Sequence, residues 1–243
     1  MELAGRVALV TGAGRRLGRA FAEALAGRGM TMALHYNASK GGAESLREEV
    51  ESRGGRAACF QADLGDAEAA RALAGRVVAE FGQLDVLVNS AAVMHHVAFE
   101  DTTPELYDQV LNLNLRSVFF VSQGAAPFLR VASGKIINLA DLGGLEPWPG
   151  YAAHSLSKAG VVMLTRVLAR SLAPDVTVNA IAPGSVLVPD DYTEAERTRL
   201  AESTPLRRLG QPDDAVQAML YLLERADFVT GDVLVIDGGR VLR

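Results

Sequence analysis

Short apolar runs alternate with longer stretches in which apolar residues recur at helical spacing, along almost the whole 243-residue chain. The runs predict strands at Arg6–Thr11, Thr31–Tyr36, Ala57–Gln61, Leu84–Asn89, Lys135–Ala140, Thr177–Ala182 and Val233–Ile236. Between them lie predicted helices at Arg16–Arg28, from a Ser39 cap to Arg53, Asp66–Phe81, Thr103–Leu129, Tyr151–Leu172 and Asp213–Leu223. Gly29, Gly54 and Gly55 stop two of these helices, and Pro104 starts the long one. The strands carry no apolar–polar alternation, as expected of a parallel sheet covered on both faces.

This pattern predicts an α/β chain with one doubly wound Rossmann-type sheet of about seven parallel strands and helices on both faces. No repeat, linker or low-complexity tract divides residues 1–243, so a single domain is expected. The stretch 189–205 breaks the strand–helix rhythm with prolines and a charged run. It reads either as a solvated surface loop with a short helix or as a lid over a substrate.

Composition narrows the function without choosing it. Half the residues are apolar, and the net charge of −5 is spread without a basic cluster, which argues against a nucleic-acid surface. No apolar run is long enough to span a bilayer, and no secretory leader is read before Val7. Cys59, the only cysteine, lies in an apolar run and reads as a core residue; the chain suits a reducing compartment, and a cytoplasmic location is expected.

Candidate chemistry begins at Thr11-Gly12-Ala13-Gly14-Arg15-Arg16-Leu17-Gly18, a glycine-rich turn between the first strand and helix. Gly12 permits the turn, Gly18 permits close helix–sheet approach, and the helix N-terminus offers N–H groups to a pyrophosphate. Many dinucleotide folds place an acid after the second strand for the ribose 2′-hydroxyl. Here His35-Tyr36-Asn37-Ala38-Ser39-Lys40 contains none. With Arg15 and Arg16 nearby, the turn predicts NADP(H) rather than NAD(H), with Arg16 the first phosphate candidate and Ser39 and His35 behind it. The competing reading leaves both arginines in solvent.

With these motifs, Asp63-Leu64, Asn89-Ser90-Ala91-Ala92, Asn114, Lys158, Asn179, Pro183-Gly184 and Asp237-Gly238-Gly239, the chain resembles the short-chain dehydrogenase/reductase family over its full length. Within it, Arg16, His35-Tyr36 with Ser39, Asp141 and the ending Asp237-Gly238-Gly239-Arg240 resemble the pteridine reductase branch. The resemblance implies that Asp63 and Leu64 hold the adenine. Asn89 and Ala91 would line the adenosine ribose, and Pro183, Gly184 and Ser185 would border the nicotinamide. Lys158 would bind the nicotinamide ribose, and Asn114 would hold the long helix open around a proton relay.

The family's proton donor is a tyrosine four residues before the lysine, and His154 stands at that position, thirteen residues after Asp141. Three readings follow. His154 is a working acid kept charged by Asp141 against Lys158; Tyr151, one turn earlier, supplies a phenol instead; or the chain binds NADPH and does little chemistry. Ala92 and Met94 replace the branch's serine and stacking aromatic, so the substrate pocket departs from the pattern, with Trp148 as a further wall candidate. His95 and His96 have no accompanying carboxylate or cysteine set, and no metal site is expected. The sequence thus predicts an NADPH-dependent reductase of a small carbonyl or imine. The alternative is an NADP(H)-binding regulatory or scaffold protein with a degraded site. The apolar content of Tyr151–Leu172 exceeds one buried face, and family members pair such helices, so self-association, as a homotetramer, is expected.

Overall fold

The computed structural model describes residues 1–188 and 192–242. Seven strands form one parallel sheet in the order β3-β2-β1-β4-β5-β6-β7. They are β1 (Val7–Val10), β2 (Thr31–Tyr36), β3 (Ala57–Gln61), β4 (Val86–Asn89), β5 (Lys135–Leu139), β6 (Thr177–Pro183) and β7 (Val233–Ile236). Every interior strand is apolar on both sides because helices cover both. Phe21 and Leu25 of α1 (Arg16–Gly27), Leu46 of α2 (Lys40–Ser52) and Met219 and Leu223 of α8 (Pro212–Glu224) pack one face. Leu73 and Val77 of α3 (Ala67–Phe81), Val121 and Leu129 of α5 (Ser117–Ala132) and Leu172 of α6 (Ala152–Leu172) pack the other. The predicted single doubly wound domain is what the described residues form.

Strand order reverses between β1 and β4, so the loops leaving these two strands diverge and open a crevice at the carboxyl edge of the sheet. Thr11 ties the two loop starts together: its Oγ1 accepts the N–H groups of Ser90 (2.9 Å) and Ala91 (3.1 Å).

The structure corrects two local expectations and gives a third stretch its form. The predicted helix Thr103–Leu129 is interrupted: α4 (Pro104–Leu111) and α5 are joined by a π-turn, Asn112–Arg116. Ser39 occupies the N-cap position of α2 without making a capping hydrogen bond. The stretch 189–205 contains α7 (Glu194–Glu202), started by a Thr193–Glu196 capping box, with no buried side chain. That exposure fits both the surface-helix and the lid readings, and Pro189, Asp190 and Asp191, part of the same expectation, lie outside the described residues.

Candidate active site

Helix α6 begins after Gly150, whose φ of +82° suits glycine, and sends Ala153, His154, Ser157, Lys158 and Val161 inward at helical spacing. The loop after β5 folds onto this face. Gly144 lies so close that a Cβ there would meet the Lys158 carbonyl carbon at 2.8 Å. That approach brings Asp141 to His154, with Oδ2 2.6 Å from Nε2. The predicted 141–154–158 register is therefore realised as a contact.

The other imidazole nitrogen also faces protein. Nδ1 lies 3.3 Å from the Val93 carbonyl oxygen and 3.4 Å from Asn114 Nδ2. The Asn114 amide has two hydrogens, and its shorter contacts are to the Val93 carbonyl (2.8 Å) and Ser157 Oγ (3.1 Å). Nδ1 is then best paired as a donor to Val93, while Nε2 donates to the Asp141 carboxylate. Ser157 Oγ–H donates to the His154 carbonyl at 2.6 Å, so Ser157 joins Asn114 to the turn carrying the imidazole. The sequence reading missed Ser157; its only signal was its place beside Lys158.

His154 is 4% exposed, whereas the Asp141 side chain is 22% exposed. A direct proton hand-over from His154 requires its ring to leave one of these partners. Burial pushes the Asp141 carboxyl up, but the His154 hydrogen bond and the Lys158 charge outweigh it and hold the carboxyl below its ordinary value. Asp141 Oδ1 is buried without a hydrogen-bond partner. Burial pushes Lys158 down, opposed by Asp141, and its Nζ donates to the Leu139 carbonyl at 2.7 Å.

Tyr151 belongs to a different group. Its ring packs against His96 (4.9 Å between centroids) and Trp148 (6.0 Å). Burial, then Tyr192, pushes its phenol up, which does not favour an activated acid. Trp148 also lies nearly parallel to the His154 ring, at 11°. Ala92 is half-buried and Met94 half-exposed, and they flank Val93, whose N–H donates to Asn114 Oδ1 at 2.9 Å.

The glycine-rich turn is tightly packed. Gly12 has a φ of +68°, and a Cβ there would meet Ala91 Cα at 3.0 Å; one on Gly18 would collide with the Gly12 carbonyl oxygen. A Cβ on Gly14 would strike Ser39 Oγ at 2.5 Å, so Ser39 closes this turn. Arg15 is exposed and Leu17 half-buried against the core. Arg16 has a φ of +53° and donates from Nη2 to the Leu187 carbonyl at 2.9 Å.

Two predicted cofactor contacts face elsewhere. His35 is buried under the turn, with its Nδ1 accepting from the Gly12 N–H (3.1 Å) and its Nε2 3.1 Å from the Ala62 carbonyl oxygen, so it does not reach outward to a phosphate. The Asn89 amide points inward to Ser122 Oγ (3.1 Å) and Asn138 Oδ1 (2.9 Å), leaving only its backbone toward the crevice. Tyr36 is half-buried at the end of β2, and Asn37 is exposed and accepts from Gln61. Asp63 is exposed and accepts the Gly65 N–H beside buried Leu64. At the far side Pro183 is buried, Gly184 N–H donates to Ile236 (2.9 Å), and Ser185 Oγ accepts from Arg240 (3.0 Å). Among the described residues, no group of three or more metal-ligating side chains is present and no helix is long and apolar enough to cross a membrane.

A doubly wound parallel sheet with a glycine turn at its switch point and an acid–base cluster at its carboxyl edge defines a dinucleotide-binding oxidoreductase class. Comparisons with known proteins give the family. A family profile described as Enoyl-(Acyl carrier protein) reductase matches residues 12–240. The chain is 39% identical over 239 residues to the 3-oxoacyl-[acyl-carrier-protein] reductase FabG of Staphylococcus aureus, covering 96% of each chain. It is 33% identical to the Thermotoga maritima FabG over 247 residues, covering 100% of each. Among solved structures, a putative short-chain alcohol dehydrogenase from Sinorhizobium meliloti superimposes with a TM-score of 0.93 at 32% identity, over 99% of this chain and 98% of that one. A Serratia marcescens short-chain dehydrogenase/reductase mutant gives 0.92 at 34%, over 99% and 100%. The chain belongs to the short-chain dehydrogenase/reductase family and is an oxidoreductase.

Proposed function

We propose that this chain is an NADP(H)-dependent reductase of a small carbonyl or imine compound, with Asp141 as the outer member of a proton-donating pair and His154 as its reservoir. The observation that carries this reading is the 2.6 Å His154–Asp141 contact beside Lys158, at the sheet edge where the glycine turn also lies. The fit to NADP(H) rests on the packed turn from Gly12 to Gly18, the absence of an acid after β2, and the exposed guanidinium of Arg16.

Gly12–Gly18 and the first turn of α1 would hold the phosphates, Arg15, Arg16, Asn37 and Ser39 the 2′-phosphate side, and Asp63 and Leu64 the adenine. Ala91 would lie by the ribose, with Lys158, Pro183, Gly184 and Ser185 around the nicotinamide. When bound, NADPH supplies the hydride. Asp141, a carboxylate at rest, would take the His154 Nε2 proton across the short hydrogen bond and pass it to the substrate oxygen or nitrogen, leaving His154 one proton short. Lys158 keeps a positive charge near the developing negative charge on the substrate.

The branch reading is pteridine-reductase-like, supported by Arg16, Asp141 and the residues around Tyr36. Ala92 and Met94 widen the pocket's tolerance to cyclic or planar carbonyls and imines, with Trp148 as a flat wall. A 3-oxoacyl thioester is the second reading, favoured by the 39% identity to a FabG. Assembly as a homotetramer is part of the proposal. It is supported by apolar side chains left half-exposed on α5 and α6, namely Phe119, Leu156, Met163 and Val167. The cytoplasmic placement rests on the single cysteine and the family.

The test is an NADPH-oxidation screen over pterins, quinones, small ketones and a 3-oxoacyl thioester, with NADH in parallel. Turnover with NADPH on at least one carbonyl or imine is expected. Tight NADPH binding with no oxidation across the panel overturns the reading in favour of a binding protein. Preference for NADH removes its cofactor half.

A further inference from the structure

His35 sits in β2 on the same face as Ala33, which packs into the apolar cluster around Phe60, Leu64 and Leu73. It is 2% exposed in that setting, and a buried imidazole needs partners for both nitrogens. It has them, both from backbone. The Gly12 N–H donates to Nδ1, so Nδ1 carries no proton; the remaining proton is on Nε2 and is donated to the Ala62 carbonyl. A third bond runs through the main chain, where Ala13 N–H donates to the His35 carbonyl at 2.9 Å.

These bonds connect two separate places through one side chain. Gly12 is the strained corner of the glycine turn, pressed against Ala91 on its other side. Ala62 immediately precedes Asp63, at the end of β3. A single tautomer of one side chain therefore fixes the peptide plane entering the turn and the strand end leading to Asp63. We infer that His35 is a positioning residue of the cofactor site, acting through Gly12 and Ala62 without touching the cofactor. The inference rests on the cofactor reading above.

Chemistry favours histidine here over other buried side chains. The site needs one acceptor and one donor on opposite sides of a rigid ring, facing two backbone groups of fixed polarity. The imidazolium would offer a second donor to the Gly12 N–H and lose that bond. Burial, the largest influence, accordingly pushes His35 down to about 4. The other influences are the hydrogen bond to Ala62, Arg76 of α3, which also pushes it down, and Asp63, which opposes.

Three substitutions separate the two bonds. In His35→Asn the amide oxygen replaces Nδ1 as acceptor for Gly12; in His35→Gln the amide reaches toward Ala62; His35→Leu supplies neither. Cofactor affinity is read by titrating NADP⁺, and in parallel NAD⁺, against the fluorescence of Trp148, the chain's one tryptophan. Tautomer is read by ¹H–¹⁵N correlation of the imidazoles, of which the chain has four. The wild type should show His35 as the neutral Nε2–H form at pH 6. His35→Gln and His35→Leu should weaken binding at least about tenfold, and His35→Asn should recover to within about threefold of wild type. Should His35→Leu fail to fold, the Asn–Gln pair carries the comparison. Equal affinity across the folded variants, no difference between Asn and Gln, or an Nδ1–H or doubly protonated His35 at pH 6 overturns the inference. If the wild type prefers NAD⁺, the 2′-phosphate reading fails alone, and the same series is judged with NAD⁺. If it binds neither dinucleotide, both fail.

Discussion

Replacing His154 with phenylalanine isolates what the imidazole does for Asp141. The replacement ring is somewhat larger, so no cavity opens and an aromatic face still lies beside Trp148. What is lost is the 2.6 Å hydrogen bond to a carboxylate that is three-quarters or more buried, together with the Nδ1 contact to Val93. A hydrogen bond involving charged partners contributes about 1.5–3 kcal/mol. Both partners here are largely buried, which favours the upper half of that range, while Lys158 remains as a second countercharge and prevents the larger penalty of a stranded ion. The expected destabilisation is therefore about 2–3 kcal/mol at pH 7, or a fall in Tm of about 5–10 °C for a chain of this size. The pH dependence has a definite sign. The wild-type carboxyl is held below its ordinary value, so its contribution is present above the unfolded pKa and fades as pH falls through the folded one. Without His154 the folded value moves up, so the gap between variant and wild type should narrow as pH falls below the ordinary carboxylate value, about 4, toward the folded wild-type value. Urea denaturation at fixed protein concentration, followed by Trp148 fluorescence, measures both. Adding Asp141→Asn and the double variant closes a thermodynamic cycle in which the Lys158 contribution largely cancels. A coupling energy of about 2 kcal/mol is expected, and additivity within about 0.5 kcal/mol would refute the pair. In the activity assay each single variant should lose about 10²–10⁴-fold, with the double variant no worse than either, because the two act as one unit.

Asn114→Ala should remove the partner of the Val93 N–H, one of the two donors to the Val93 carbonyl, and the donor to Ser157 Oγ. An unsatisfied buried group costs about 1–3 kcal/mol, so a loss of about 2–4 kcal/mol is expected, with faster hydrogen exchange at the Val93 amide as the local sign; unchanged exchange there would contradict the assignment. Arg16→Gly should relieve a left-handed conformation worth about 1–2 kcal/mol and forfeit the exposed bond to Leu187, for a net gain in urea resistance of about 1 kcal/mol. The same variant should lose discrimination between NADP⁺ and NAD⁺ in parallel titrations, and retained discrimination would take Arg16 out of phosphate recognition.

Strand number, element order and the switch point were legible because they follow from the placement of apolar runs and glycines, and those signals are local. The break at Asn112–Arg116 was not. The residues there continue the helical periodicity and include neither proline nor glycine. The turn widens around Asn114, whose side chain bonds to Val93, 21 residues away, and to Ser157, 43 away, and no window of helical length contains those partners. His35 failed for a related reason. Its type suggested a phosphate ligand, but strand alternation puts it beside Ala33 on the buried face, where an imidazole is held by backbone groups and kept neutral.

Helical spacing puts residues 154 and 158 on one face, and Asp141 was expected beside them from the family resemblance; the structure brings Asp141 to His154. Spacing could not say where the two ring nitrogens point, and the chemistry depends on that. The geometry also explains why the histidine and the aspartate belong together. An imidazolium at 154 without a carboxylate at 141 would leave two buried cations, His154 and Lys158, on adjacent turns. A carboxylate at 141 without His154 would have an unpartnered Oδ2 beside an Oδ1 that already lacks one. With both present, charge is opposed at hydrogen-bond distance and the proton rests between two groups of which only Asp141 is appreciably exposed. In the proposed reading the His154 proton reaches the substrate through Asp141, and the His154–Asp141 coupling energy tests whether the two act as one unit.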